Sequence, residues 1–235
     1  MAAERRASGG AAQRAPRPSG PGGREAAPGY RGKRAFDVVV AGVGLVLSAP
    51  VQALVAAAVV ADSPGPALFR QTRVGLGGVP FTIYKFRTME VAPITHESVP
   101  PRAASDVTGS DDPRITRVGR VLRATKLDEL PQLVNILRGD MSLVGPRPEL
   151  PRYVALWDPA VRPLILSVRP GLTDPASVAY RREGEELAAA ADPEAHYVGH
   201  ILPRKVAMYA DYARGISLRS DLAVLAATVR AVLTG

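Results

Sequence analysis

The sequence predicts an α+β fold in which a long apolar, membrane-associated helix precedes a small β-hairpin and a mainly helical domain. Three observations predict it. Val38 to Ala61 is a run of 24 residues without a charge. The stretches ALFRQTRV (67–74) and PFTIYKFRT (80–88) are strand-like and flank the Gly-rich turn LGG at 76–78. Leu130, Leu133, Val134 and Leu137 recur at i, i+3, i+4 and i+7, the period of an amphipathic helix.

The chain begins with a segment that has little to bury. Residues 1–34 carry eight basic residues (Arg5, Arg6, Arg14, Arg17, Arg24, Arg31, Lys33, Arg34) against Glu4 and Glu25, in a background of Gly, Pro and Ala. They hold most of the formal net charge of +8. Residues 1–32 read as a disordered basic tail, without the apolar core of a cleavable signal or the periodicity of a transit peptide. The basic balance calls for an anionic partner: nucleic acid, anionic lipid or a phosphorylated substrate. The 235 residues contain no cysteine, which excludes disulfides, thiolate metal sites and a cysteine nucleophile.

The uncharged run reaches about 36 Å as a helix, enough for a hydrocarbon core of about 30 Å. A buried soluble helix is the alternative. Insertion and spanning are separate questions, because Ser48-Ala49-Pro50 sits at the midpoint and Pro50 removes a helix hydrogen bond. Basic residues flank both ends (Arg31, Lys33 and Arg34 before; Arg70, Arg73, Lys85 and Arg87 after), so both flanks suit the cytoplasmic side. Kinked spanning and a hairpin dipping into one leaflet both stay open on these grounds.

Ser63-Pro64-Gly65-Pro66 closes the run with turn chemistry. The hairpin follows, and its glycines match neither common phosphate-loop pattern. Residues 91–113 read as a polar loop. The amphipathic helix then ends at Gly139, with Pro131 in its first turn. MSLVGPRPE (141–149) reads as a short strand and a stiff turn around Arg147, and two helical patterns close the chain at about 203–213 and 221–233, with Ser220 as N-cap.

Asp128 and Glu129 therefore stand at the start of a helix. Acids there are ordinarily favoured by the helix dipole, by about 0.3–1 kcal/mol. Their surroundings argue for more: Arg114, Arg117, Arg120, Arg123 and Lys126 precede them, and Arg138 and Arg147 follow. Such a field is expected to lower the pKa of Asp128, keep it ionised and attract phosphate oxygens. An ionised Asp among phosphate-binding groups can attack phosphorus, and a neighbouring Glu can hold Mg²⁺. The residues alone lead to a membrane-bound, metal-assisted phosphoryl-group enzyme. The competing class, a basic nucleic-acid-binding protein, lacks a reader motif, and no nucleic acid is expected as partner. A catalytically silent membrane scaffold is the other rival. His196 and His200, at i and i+4, lack an evident third ligand and read as a solvent-facing pair rather than a metal site.

KRAFD (33–37), SPGPALFRQTRVGLGGVPFTIYKFRTM (63–89), DPRITRVGRVLRATKLDELPQLVNILRGDMSLVGPRPE (112–149) and RPGLT (169–173) together resemble the bacterial sugar transferases, monotopic phosphoglycosyl transferases acting on polyprenol phosphate. The resemblance runs in register from about residue 33 to the C-terminus and looks like the minimal catalytic core. It implies that 33–62 is a re-entrant helix–break–helix with its break at Ser48 and Pro50, and that 63–235 is a cytosolic catalytic domain. It further implies a place on the cytoplasmic face of the bacterial inner membrane. By the same resemblance Asp128 and Glu129 are the catalytic dyad. Asp128 would take the phosphosugar from a UDP-sugar with loss of UMP and pass it to polyprenol (undecaprenyl) phosphate, while Glu129 would hold Mg²⁺. Lys85, Arg87, Arg114, Arg123, Arg147 and Arg169 are candidate substrate contacts, each with an ion-pair alternative. After RPGLT this chain carries Asp174-Pro175-Ala176-Ser177 where many relatives have Gly-Trp-Ala-Gln, so a sugar preference does not carry over. The closing helices are expected to lie on the bilayer or pack in the core. A homo-oligomer is compatible with the sequence, which does not define one.

Overall fold

The computed structural model describes residues 29–90 and 107–234. Of the basic tail, 1–28 lie outside the described residues, as do 91–106 of the polar loop. Helix α1 covers Lys33–Asp62, followed by strands β1 (Leu68–Val74) and β2 (Pro80–Phe86). Helices α2 (Arg117–Thr125) and α3 (Gln132–Arg138) follow, joined through a single 3-10 turn at Leu127–Glu129. Beyond β3 (Ser142–Val144) come α4 (Pro151–Ala155), α5 (Arg162–Leu166), β4 (Gly171–Thr173) and α6 (Pro175–Ala179). The chain closes with α7 (Glu183–Ala189), α8 (Pro193–His196), α9 (Leu202–Arg214) and α10 (Leu218–Thr234).

β1 and β2 pair antiparallel from Leu68↔Phe86 to Val74↔Pro80, with Gly77 at φ 67° and Gly78 at φ 78° making the connection. β3 and β4 form a second, parallel pair. At Gly171 a Cβ would collide with Gly145 N and O, so only glycine lets β4 approach the turn that leaves β3.

α1 is an unbroken helix, which corrects the expected break at Ser48 and Pro50. Pro50 removes one main-chain bond, but side chains brace that turn. Ser48 Oγ donates to Gly44 O (2.6 Å), and Gln52 Nε2 donates to Ser48 Oγ (2.9 Å). Such back-bonding is bend chemistry rather than termination. The contacts of α1 with the domain concentrate at its two ends. At the N-terminal end Ala41 is buried with Leu133, Ile136 and Leu143, and Arg34 donates to Ile136 O (2.7 Å) and Leu137 O (3.1 Å). At the C-terminal end Val55 and Val59 are buried with Phe86 and Leu122, and Asp62 accepts from Val118 N (2.9 Å). Between them Val46, Leu47 and Leu54 are 73%, 75% and 72% exposed.

A buried polar network fastens the N-terminal end. Lys33 Nζ reaches Asp37 (3.1 Å), Asp221 (2.8 Å) and Ser142 Oγ (2.6 Å). Tyr212 Oη donates to Asp221 (2.7 Å), and Tyr30 Oη does so from the tail (3.2 Å). Arg87 fastens the other end, with donors on Ser63 Oγ, Ser63 O (2.8 Å), Pro66 O (2.8 Å) and Gly65 O (3.3 Å). Buried hydrogen bonds from a charged donor are worth roughly 1.5–3 kcal/mol each, and they share one side chain here. Arg87→Ala is expected to destabilise the chain by about 3 kcal/mol or more, read as a lowered midpoint in thermal or denaturant unfolding.

The main core joins Leu150, Tyr153, Trp157, Ile165, Leu187, Tyr197, Ile201, Val206 and Tyr209. α9 is a core helix rather than an interfacial one: Leu202, Val206, Tyr209, Ala210, Tyr212 and Ala213 are all buried. α10 buries Asp221 and packs Val224 and Leu225 inward, while Leu222, Val229 and Leu233 stay exposed. Its N-cap is Ser217, whose Oγ accepts from Ser220 N (3.1 Å). Ser220 Oγ accepts in return from Ser217 N (2.9 Å), so the two serines cap reciprocally rather than Ser220 alone.

Candidate active site

The dyad sits where α2 turns into α3. Thr116 caps α2, its Oγ1 accepting from Gly119 N (2.9 Å), and Lys126 at φ 59° ends it. That left-handed residue redirects the chain into the 3-10 turn Leu127–Glu129, which presents both carboxylates to the interior. Gly119 is needed here because a Cβ would strike Thr88 O, and the close approach lets Arg123 Nε reach Thr88 Oγ1 (3.1 Å).

Glu129 is held by two cations from distant parts of the chain. Its Oε1 accepts from Lys85 Nζ on β2 (2.9 Å) and from Arg147 on the turn after β3 (3.0 Å). Burial alone would raise its pKa, but Lys85 and Arg147 outweigh burial and hold the carboxyl well below the usual range. Lys85 itself is pushed down by burial, against the pull of Glu129.

Asp128 differs. It is 8% exposed, and its Oδ1 is buried without a hydrogen-bond partner. Burial, and then the negative charge of Glu129, raise its pKa, opposed by Lys85, Lys126 and Arg123. The expected lowering is corrected, for a physical reason: burial and the charge of Glu129 outweigh Lys85, Lys126 and Arg123, and Lys85, the first of these, is bonded to Glu129. A desolvated, unpartnered carboxylate oxygen is poised to bond to an electrophile.

The remaining candidates divide. Lys85, Arg123 and Arg147 are gathered around the dyad, the first and last on Glu129 and Arg123 within electrostatic reach of Asp128. Arg114 chelates Asp112 through Nε (3.0 Å) and its terminal nitrogen (2.8 Å), with an electrostatic coupling to Arg123. Arg87 is not brought to the site, since its guanidinium holds the turn after α1. Arg169 lies at the far end of α3, where its Nε donates to Gly139 O (3.0 Å). His196 Nε2 pairs with Glu186 (2.8 Å), and its ring lies 5.0 Å from that of His200. Asp174 is buried as the cap of α6, accepting from Ala176 N (2.7 Å) and Ser177 N (3.0 Å). Asn135 and Gln132 are buried polar residues of α3 that the sequence reading does not single out. Asn135 ties α3 to β2, accepting from Tyr84 N (3.1 Å) and donating to Thr82 O (2.7 Å). The signal for both is in the sequence: two polar residues one turn apart in a helix whose other residues, Arg138 at its end excepted, are apolar.

A divalent cation fits beside Glu129, a hard oxygen donor of the type Mg²⁺ prefers beside phosphate, whose two clamping cations bond to the same oxygen, Oε1. Among the described residues no cluster of three or more acidic, cysteine or histidine side chains supplies a full cage.

Fold and site define a class, an α+β protein with one long, largely exposed apolar helix and a cation-clamped acidic dyad suited to phosphoryl chemistry. Residues 29–235 match the family described as Bacterial sugar transferase, and the chain belongs to it. It is similar to the UDP-glucose:undecaprenyl-phosphate glucose-1-phosphate transferase of Caulobacter vibrioides, 42% identical over 86% of this chain and 70% of that protein. A UDP-N-acetylgalactosamine-undecaprenyl-phosphate N-acetylgalactosaminephosphotransferase of Aeromonas hydrophila is 36% identical over 86% of this chain and 44% of that protein. The exopolysaccharide production protein ExoY of Rhizobium meliloti is 35% identical over 87% and 86% of the two chains. The chain thus spans less than half of the Aeromonas protein and most of the Rhizobium one.

Proposed function

We propose that this chain transfers a sugar 1-phosphate from a UDP-sugar to undecaprenyl phosphate, releasing UMP, as a membrane step of exopolysaccharide or related glycoconjugate assembly. The observation that carries it is the asymmetry of the dyad: Glu129 is neutralised by Lys85 and Arg147, while Asp128 is desolvated with a free oxygen. Asp128 Oδ1 bonds to the sugar-bearing phosphorus, and the bond from that phosphorus to the bridging oxygen breaks, its electron pair leaving on UMP. A phosphate oxygen of the lipid then attacks the same phosphorus and frees the Asp128 carboxylate. Arg123 and the donor capacity of Lys85 and Arg147 left beyond Glu129 orient the phosphoryl oxygens. Glu129 would hold Mg²⁺, which offsets diphosphate charge when bound. The relatives' names carry different sugars, so a panel of UDP-sugars is the right test. The detergent-solubilised chain is expected to release UMP from at least one of them in a manner dependent on undecaprenyl phosphate. Absence of release with every sugar would overturn the reading.

The same proposal places the chain on the cytoplasmic face of the bacterial inner membrane, with the exposed middle of α1 embedded in one leaflet. Both ends of α1 are fastened to one domain while the middle around Ser48 and Pro50 is exposed and apolar. A helix crossing the bilayer would put those ends on opposite sides of a hydrocarbon core of about 30 Å, where one domain could not hold both. The absence of native cysteine makes the test clean. Single variants Arg31→Cys and Val79→Cys are both expected to resist a membrane-impermeant thiol reagent in intact cells and to label after permeabilisation. Labelling of Arg31→Cys alone in intact cells would show that α1 spans.

A further inference from the structure

Gln132 is 1% exposed, and its Nε2 has no hydrogen-bond partner among the described residues. Leaving a buried amide unpaired carries a desolvation cost that a folded chain ordinarily avoids. Its place is informative. Leu130 (φ −53°, ψ −36°) and Pro131 (φ −61°, ψ −17°) carry helical geometry from the dyad turn into α3. Gln132 therefore stands four residues after Asp128 and three before Asn135, one row along one helix face. The two neighbours in that row define what the face meets. Asn135 bonds main-chain groups of β2, the strand that also supplies Lys85 to Glu129. Asp128 carries the other unpartnered buried polar atom of the site, its Oδ1. A donor and an acceptor, both buried and unpaired, thus lie one helical turn apart on the seam between α3 and β2.

We propose that Gln132 is a substrate-contacting residue of the transfer reaction, its Nε2–H donating to a non-bridging oxygen of the phosphoryl group as that group bonds to Asp128. The inference rests on the transferase reading above. While the bond from Asp128 Oδ1 to phosphorus forms and the bond to UMP breaks, charge on the non-bridging oxygens shifts toward a neutral, fixed donor. The amide adds no net charge and moves no proton, and it is already desolvated in the resting protein, so it needs no reorganisation at the moment of reaction. It also gives the buried amide a partner at a position where an apolar residue of the same size would pack without cost.

The test is Gln132→Met, which keeps side-chain length and removes both polar atoms, assayed with Gln132→Leu as a second apolar variant. Expected is a fall in kcat for UMP release of about 10²-fold, with KM changed by less than about threefold. The thermal midpoint is expected to be unchanged or higher, because an unpaired polar group has been removed. In a rapid-mixing experiment without lipid, the phosphosugar bound to the protein, read by intact mass, should form about 10²-fold more slowly than in the wild type. Wild-type kcat in both variants would overturn the proposal. So would a lowered midpoint in both, since that would show the amide bonded, directly or through water, within the resting fold. Failure of the transferase reading looks different: the wild-type chain itself releases no UMP, and this inference falls with it. Failure of this inference alone leaves the wild type active.

Discussion

Asp128→Asn is expected to reduce UMP release by a factor on the order of 10⁴ or more, the scale seen when a covalent nucleophile is removed from an otherwise intact site. The stability of the variant is expected to be equal to or above that of the wild type. Asp128 is desolvated, its Oδ1 is unpartnered, and burial and Glu129 both raise its pKa. A neutral amide of the same shape removes that unfavourable charge from the interior. Activity and thermal midpoint should therefore move independently, or in opposite directions. A variant that keeps more than about a tenth of wild-type turnover would exclude a covalent role for Asp128. One that loses both activity and folding would show Asp128 to be a structural residue, as helix-start acids often are.

Glu129 is expected to behave in the reverse way. Lys85 and Arg147 converge on one of its oxygens, and all three side chains are largely buried. Removing one partner of a buried ion cluster strands the remaining charges, at about 3–5 kcal/mol. Glu129→Ala should lower the unfolding free energy by that order and abolish UMP release. Glu129→Gln, whose amide oxygen can still accept both hydrogen bonds but carries no charge, should recover part of the stability and little of the activity. The triple variant Lys85→Met, Glu129→Leu, Arg147→Met separates the effects. It should refold to near wild-type stability, since apolar replacement of a buried ion cluster is often neutral, and stay inactive. Full stability in Glu129→Ala alone would show that the cations find water and that the clamp is looser than its distances indicate.

The two carboxylates of one dipeptide thus take opposite roles because of where the cations are, and that was the part the chain order concealed. Counting basic residues near Asp128 in sequence led to a lowered pKa for it. In the fold, Arg114 turns to Asp112, Arg87 to the carbonyls after α1, and Arg169 to the end of α3. The two cations that matter come from 44 residues upstream and 18 downstream of Glu129. Proximity along a chain is a poor measure of electrostatic proximity when a strand pair and a turn bring remote segments together.

Local chemistry was legible where an element is long or its turn residues are specific. The hairpin followed from two strand-like stretches around Gly77 and Gly78, α3 from its four-residue apolar stripe, and α1 from an uncharged run too long for an ordinary core helix. The helices α4, α5 and α6 were not legible, because five residues hold little more than one turn and show no period. Nor was β4, three residues long and paired in parallel with β3 across some 27 residues of chain. Its pairing depends on the close approach of Gly145 and Gly171, a tertiary fact.

By itself, then, the sequence determined the apolar helix, the hairpin, the acidic pair at a helix start and the family to which the chain belongs, because periodicity, turn chemistry and motif order are all written locally. The tertiary structure alone decided that both ends of α1 are tied to one domain. It alone decided that Lys85 and Arg147 clamp Glu129 while Asp128 stays unpartnered, and that Gln132 is buried with its amide unpaired on the dyad's face. These depend on desolvation and on contacts between distant segments, which exist once the chain has closed around them.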